Sequence, residues 1–377
     1  MKRFILYITA LVSLVAVASC QKDTKTVYHE PTTFVLNTPA FASGIYDLEN
    51  STSVVFTCSQ PDYGFTAATT YKMEFSLDQE NWTALSKTSS TAKIDVDAAA
   101  LAGLLGGLLG IPEEEYPAIR TVYARATANL TASGLGTITS NVVTLNSVRI
   151  HFVPVSAPKT MNIVGGGQWL GDWNWDNSLA MVPAYGLTAG EGEYDGTFWR
   201  LVYFDASAAF KFNVEKKWDG GEAGYAAVEG RINDNADAGI TKTDDGNIVV
   251  TNPGWYLVSI RTEVSGRDYI YTIDFDEPVV YLLGTAVDGC WDIPNDYVFT
   301  VPETPDGEFV SPAFITDATE GVRCCVKLSD RDWWKSEFII KDGKISYRGV
   351  GPDQDRVPAS AGQKISFDFF KGTGHID

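Results

Sequence analysis

The sequence predicts an all-β chain, with an N-terminal immunoglobulin-like sandwich followed by two tandem β-sandwich modules. Three observations predict it. Apolar and polar residues alternate in short runs bounded by turn-forming residues, as in Y-K-M-E-F-S-L at 71–77. A length of 377 residues is too much for one sandwich and enough for three that each bury a core. Finally, residues 279–377 repeat the pattern of residues 159–276, which marks two copies of one module.

Residues 1–19 read as an export signal. Lys2 and Arg3 precede an apolar run from Phe4 to Val17 that ends in Ala18 and Ser19, and this run is too short to span a bilayer. Val17-Ala18-Ser19-Cys20 then places a cysteine where a lipid would be attached. Cys20 is therefore the expected lipidation site, and its lipid the expected contact with the membrane. Residues 20–33 are polar and aperiodic, as a tether is.

The first domain is expected over 34–153, with strands at 54–58, 71–77, 121–128 and 139–149. One helix interrupts them. Asp97 can cap it, Leu101, Leu104, Leu105 and Leu108 form a single apolar stripe at i, i+3, i+4 and i+7, and Pro112 ends it. The stiff segment P-V-S-A-P at 154–158 closes the domain. The second domain, 158–276, has strand patterns at 160–165, 198–204, 209–214, 247–251, 254–262 and 268–275, with Asp245-Gly246 as a turn signal. Glu277-Pro278 separates it from the third, 278–377. Within the repeat, Ile163-Val164-Gly165 aligns with Leu282-Leu283-Gly284, each followed within ten residues by a tryptophan, Trp173 or Trp291. Phe210-Lys211-Phe212 aligns with Val326-Lys327-Leu328, and each lysine precedes a tryptophan by seven residues, Trp218 or Trp334.

Composition narrows the function. A formal charge of −19 repels nucleic acid and anionic lipid. Hydrophobic residues at 45% and charged residues at 20% are ordinary for a folded chain, so order is expected beyond the leader and tether. Ten Trp and seventeen Tyr exceed what cores of this size consume, so some rings are expected to face a ligand. The chain has three histidines, His29, His151 and His375, and none sits in a plausible catalytic triad; no catalysis and no cofactor are expected. Beyond Cys20, Cys58, Cys290, Cys324 and Cys325 match no zinc or redox spacing. Adjacent Cys324 and Cys325 point to opposite faces of a strand and read as small buried residues, while a bridge from Cys290 to one of them stays open. The segment N-D-N-A-D-A-G at 233–239, with Asp244 and Asp245 nearby, carries alternating oxygens. Ala238 occupies the glycine place of a calcium loop, so it reads as a solvated loop with no metal.

The strongest candidate site is the loop G-G-G-Q-W-L-G-D-W-N-W-D-N at 165–177. Indole planes stack on the flat C–H faces of sugar rings, and polar neighbours bond the hydroxyls. Trp173, Trp175, Lys211, Asn213 and Trp218, with Asp219 beside them, fit that chemistry in the first module. Trp291, Lys327, Arg331, Trp333 and Trp334 fit it in the second. Trp169, Trp199 and Trp255 are expected in cores.

These residues resemble the SusE/SusF-type starch-binding lipoproteins that accompany glycan-uptake porins in the outer membrane of gut Bacteroidetes. F-S-L-D-Q-E-N-W at 75–82, the Leu-rich helix at 101–108, V-Y-A-R-A-T-A at 122–128 and S-N-V-V-T at 140–144 are similar to the N-terminal domain of SusE proteins. The V-G or L-G opening, the loop tryptophan, F-K-F and the tryptophan after it are similar to the family's tandem glycan-binding modules. The resemblance implies an immunoglobulin-like spacer and two later modules that bind starch-like α-glucan on the cell exterior, with a SusC/SusD-like porin complex as partner. Two departures stand out. The second module has V-K-L for F-K-F and Trp291-Asp292-Ile293-Pro294 for W-N-W-D, so an altered or lost site is expected there. Gln21-Lys22-Asp23 is less acidic than the corresponding segment of many surface-directed relatives, which leaves the membrane face open. The alternatives to starch are another glycan, or a protein partner received by the tryptophan loops.

Overall fold

Strand Thr69–Ser76 buries Thr69, Tyr71, Met73 and Phe75 and turns Lys72 outward, the period-2 pattern its sequence dictates. A computed structural model describes residues 27–41, 44–184, 192–218, 220–329 and 331–377. The export signal, Cys20, Gln21-Lys22-Asp23 and Asp219 lie outside the described residues. The chain divides into two units, Met1–Val153 and Pro154–Asp377.

In the first unit, Thr69–Ser76 lies in a six-stranded sheet. Its order is Ile45–Asp47, Val143–Ile150, Ala118–Leu130, Thr69–Ser76, Thr83–Ser89, with Ile138–Thr139 added to Ala118–Leu130. A two-stranded ladder of Ser53–Thr57 and Lys93–Asp97 completes the sandwich. Their shared core holds Phe56 and Phe75, edge to face at 6.0 Å, and the inward row Val122, Ala124, Ala126 and Ala128. Helix Ala98–Leu109 follows directly, capped by the Asp97 carboxylate, which accepts from Ala100 N at 2.8 Å. Leu101 and Leu105 are fully buried, with Leu104 and Leu108 packed against the same core. Strand Thr83–Ser89 escapes sequence reading because T-A-L-S-K-T-S is a polar edge strand with little to alternate.

The second unit begins with two five-stranded sheets. One runs Leu179–Ala180, Asn162–Gly165, Ala208–Asn213, Ile248–Val250, Ile240–Lys242. The other runs Val182–Pro183, Thr197–Phe204, Gly254–Ser265, Asp268–Asp276, Ile232–Asp234. Residues 279–377 contribute a seven-stranded sheet in the order Val280–Leu283, Arg323–Val326, Glu337–Lys341, Lys344–Tyr347, Thr373–Ile376, Ile365–Asp368, Phe309–Val310. Its two ends approach through residues 297–300, because Leu282 N donates to Tyr297 O, Phe299 N to Val280 O, and Thr300 N to Val310 O.

The second five-stranded sheet is buried on both faces, and alternation along it explains how. Phe198, Val202, Phe204, Tyr256, Val258 and Ile260 enter the core between the two five-stranded sheets. The interleaved Trp199, Leu201, Trp255 and Leu257 join a continuous core with Leu282, Phe309, Phe338 and Phe367. Trp199 packs on Tyr347 at 5.6 Å and Trp255 on Phe309 at 5.1 Å, and Trp255 Nε1 donates to Thr304 O at 3.3 Å. These two indoles are core residues, as expected, of a core shared between the repeats. Trp169, also expected in a core, is half-buried instead and meets the exposed Phe370 edge-on at 4.2 Å.

Cys58, Cys290, Cys324 and Cys325 are free thiols. Cys324 faces the shared core and Cys325 the opposite side of the strand. Burial pushes both thiols well above the ordinary range.

Candidate functional site

In the first repeat the site lies on the outer face of the strand pair Asn162–Gly165 and Ala208–Asn213. Antiparallel register sets Ile163 opposite Phe212 and Val164 opposite Lys211. Phe210 and Phe212 enter the core, so the pleat turns Lys211 to the outer face beside Val164. The chain leaving Gly165 folds back on itself. Trp173 N donates to Gly165 O at 2.8 Å, with Trp173 held at φ 58°, a region a bulky residue seldom occupies. Asn174 caps the short turn Trp175–Asn177, and Leu179–Ala180 returns alongside Asn162–Gly165.

Trp218 arrives from the other end, on the turn after Asn213. Its ring lies 5.1 Å from Trp175 at 56° and 6.3 Å from Trp173 at 36°. Trp175 is 5% exposed and backs the cluster, whereas Trp218 is 50% exposed. Lys211 is half-buried, and its side-chain ammonium makes no hydrogen bond or ion pair with other described residues. Its charge is nevertheless felt. The Asp245 carboxyl is held below the usual range chiefly by the Thr243 hydroxyl, with the Asn247 amide and the Lys211 ammonium adding to it. Asn213 does not take the ligand-facing role expected of it. It is 3% exposed, its Nδ2 donates to Lys217 O at 3.2 Å and its Oδ1 accepts from Glu215 N, so the side chain builds the turn that carries Trp218.

The second repeat shows the same plan with a different cation. Leu282 pairs with Cys324 and Leu283 with Arg323. Because Leu283 aligns with Val164, Arg323 occupies the place of Lys211. The V-K-L alignment is four residues out of register: Lys327 is exposed, one residue beyond the strand Arg323–Val326, and is not part of the cleft. Arg323 carries no local signal in the sequence, because strand partnership, not local resemblance, decides which residue faces Leu283.

Trp291, Trp333 and Trp334, with Arg323, Arg348, Asp353 and Arg356, line a cleft of about 400 Å³. Trp291 and Trp333 lie 5.4 Å apart at 33°. Ile293 packs with Trp333 over Tyr281, Leu283 and Cys325, standing where Trp175 backs Trp218 in the first repeat. The departure at Trp291-Asp292-Ile293-Pro294 therefore exchanges the backing residue and keeps the exposed rings. Arg348 lies 4.9 Å over the Trp334 ring. The cations are held by carboxylates. Glu337, 0% exposed, accepts from Arg323 Nη1 and from Arg348 Nη1 at 3.0 Å, and Asp353 accepts from Arg323 Nη1 at 3.2 Å. Arg331 is placed elsewhere: its side chain is 3% exposed and pairs with Asp195 of the first repeat at 3.0 Å, so it does not line the cleft.

Within the segment 233–239 the Asp234 side chain is turned onto the loop's own backbone. The Asp234 carboxylate accepts from Ala238 N at 2.7 Å and Gly239 N at 2.9 Å. Among the described residues, no three His, Cys, Asp or Glu side chains converge on a space for a metal ion.

Comparison with known proteins bears on this repeated plan. The family described as SusF/SusE starch specific CBMs matches residues 160–272 and again residues 279–375. The family described as SusE outer membrane protein matches residues 21–125. Outer membrane protein SusF of Bacteroides thetaiotaomicron is 38% identical over 227 residues, 59% of this chain and 44% of that protein. The chain thus matches less than half the length of that relative. The crystal structure of SusF from the same organism superposes with a TM-score of 0.43 and 22% identity, over 92% of this chain and 99% of that one. Both cation-and-indole sites fall inside the two matched stretches, and the chain is a member of the SusF/SusE carbohydrate-binding-module family of outer-membrane proteins.

Proposed function

We propose that this protein holds starch-like α-glucan on the cell exterior without cleaving it, anchored to the outer membrane through lipid on Cys20. The observation that carries the reading is the repeated arrangement: inclined, partly exposed indoles beside a cation set by the same strand register. In the first site Trp173 and Trp218 stack the sugar, Trp175 supports them, and Lys211 bonds hydroxyls. In the second, Trp291, Trp333 and Trp334 stack it while Arg348 bonds hydroxyls and the buried Arg323 fixes Glu337 and Asp353 beneath it. Ring tilts of 36° and 33° suit a polymer whose successive sugars turn relative to one another better than a flat ribbon. The family's description as starch specific supports the same choice. Residues 34–153 act as a spacer above the tether 20–33, and the modules 158–276 and 278–377 each carry a site. A SusC/SusD-like porin complex would receive the captured glycan. Each site alone is weak, and two on one body gain avidity when both reach one polymer.

Native affinity electrophoresis in gels containing amylopectin, a xylan, a mannan, a fructan or no glycan tests the reading, with Trp218→Ala, Trp291→Ala and the double variant alongside. Retardation by amylopectin that each substitution reduces and the double abolishes supports it. Retardation by a different glycan alone would keep the mechanism and replace the substrate. No retardation in any gel would assign the indoles to a protein partner.

A further inference from the structure

We infer that Asp195, in the first repeat, positions the aromatic pair of the second through Arg331. The inference rests on reading Trp291, Trp333 and Trp334 as a glycan site. Arg331 stands two residues before Trp333, on the turn that follows strand Arg323–Val326. Its side chain is 3% exposed, and Nη2 donates to Asp195 Oδ2 at 3.0 Å and to Thr197 Oγ1 at 2.7 Å. The other Asp195 oxygen accepts from Thr197 N at 3.1 Å, so this carboxylate is tied to the start of strand Thr197–Phe204, which is buried on both faces.

The rest of the turn is braced as well. Arg331 N donates to Leu328 O at 3.1 Å, Lys335 N to Asp332 O at 3.0 Å, and Ser336 Oγ to Val326 O. Trp333 rides on this turn, packed with Ile293 and stacked near Trp291. A guanidinium withdrawn from water needs a counter-charge. The Asp195 carboxylate ties this turn to the start of strand Thr197–Phe204, and an amide in its place weakens that tie, so the turn shifts and carries Trp333 away from Trp291. The first repeat thereby sets the geometry of the second site, while its own rings, on the loops 166–178 and 214–218, are untouched by the ion pair.

The test measures each site with the other silenced, in the full mature chain. In a Trp218→Ala background, Asp195→Asn is expected to lower affinity for maltoheptaose by about tenfold or more. It is also expected to diminish the exciton couplet of the Trp291–Trp333 pair in circular dichroism, and Asp195→Glu, which keeps the charge, to restore both. In a Trp291→Ala background, Asp195→Asn is expected to leave maltoheptaose affinity unchanged. An unchanged couplet and unchanged second-site affinity in Asp195→Asn overturn the proposal, and so does an equal loss at both sites, which would mark general unfolding. If the Trp218→Ala parent holds no maltoheptaose but the couplet still falls with Asp195→Asn, positioning by Asp195 stands and the glycan reading of the second site falls.

Discussion

Arg323 stands opposite Leu283 as Lys211 stands opposite Val164, one cation per repeat at the same place in the same antiparallel register. The two differ in how they are held. Lys211 has no ion-pair partner among the described residues, whereas Arg323 is 1% exposed and shares the buried Glu337 with Arg348. Lys211→Met is therefore expected to weaken first-site binding about tenfold, the value of one charge-assisted hydrogen bond, with an unchanged urea midpoint. Arg323→Met removes one of two cations from a carboxylate that water cannot reach, and is expected to cost about 3 kcal/mol of stability as well as affinity. Urea melts of the two variants check the contrast; equal midpoints would contradict it.

Sheet burial on both faces makes the two repeats one folding unit. Trp199 is 1% exposed and packs against Tyr347 and Phe338 of the other repeat. Trp199→Ala is expected to cost about 3–5 kcal/mol, as loss of a buried indole does. Hydrogen exchange should accelerate in Ala208–Asn213 and in Arg323–Val326 together. Faster exchange in one repeat alone would mean that the shared core does not couple them.

Asp78 gives the first unit an acid-sensitive lock. Its carboxylate accepts from Asn81 N at 2.8 Å, Asn81 Nδ2 at 2.8 Å, Glu80 N at 2.8 Å and Ser76 Oγ at 2.9 Å, and these bonds, the Asn81 amides first, hold it well below the usual carboxylate range. A depressed folded value contributes stability that is present above the ordinary carboxylate value of about 4 and is lost as the pH falls toward the folded value. Asp78→Asn should therefore lower the melting temperature of the first unit at neutral pH and flatten its decline below about pH 4. A parallel decline in both proteins would remove Asp78 from the account.

What was legible in the sequence was whatever depended on local periodicity. Strands such as Thr69–Ser76 and Gly254–Ser265 and the capped Leu-rich helix carry their own pattern. The clustering of Trp173, Trp175 and Trp218 was also legible, because they stand among Gly and Asn in loops that leave the same strand pair. Partnership across the sheet was not. Lys327 resembled Lys211 in local context, yet register gave the place to Arg323. Arg331 looked like a cation available to ligand, and only the packing of the second repeat on Thr197–Phe204 buries it beside Asp195. Asn213 sits on the correct strand, but its amide is consumed two and four residues onward, in the turn beneath Trp218.

Gly284 links backbone conformation to the second site. It sits at φ 81°, and a Cβ placed there would lie 2.9 Å from Cη2 of Trp291, so the indole lies flat against a residue that must lack a side chain. Gly284→Ala is expected to strain the backbone by about 1–3 kcal/mol and to push Trp291 off Trp333, abolishing second-site retardation in amylopectin gels in a Trp218→Ala background. Gly289, at φ 79° in the same loop, has open space around its missing Cβ. Gly289→Ala carries similar backbone strain without the collision, so it should lower the melting temperature comparably and keep most of the binding. Equal loss of binding in both variants would show that backbone strain in the loop, and not the seat of Trp291 on Gly284, governs the site.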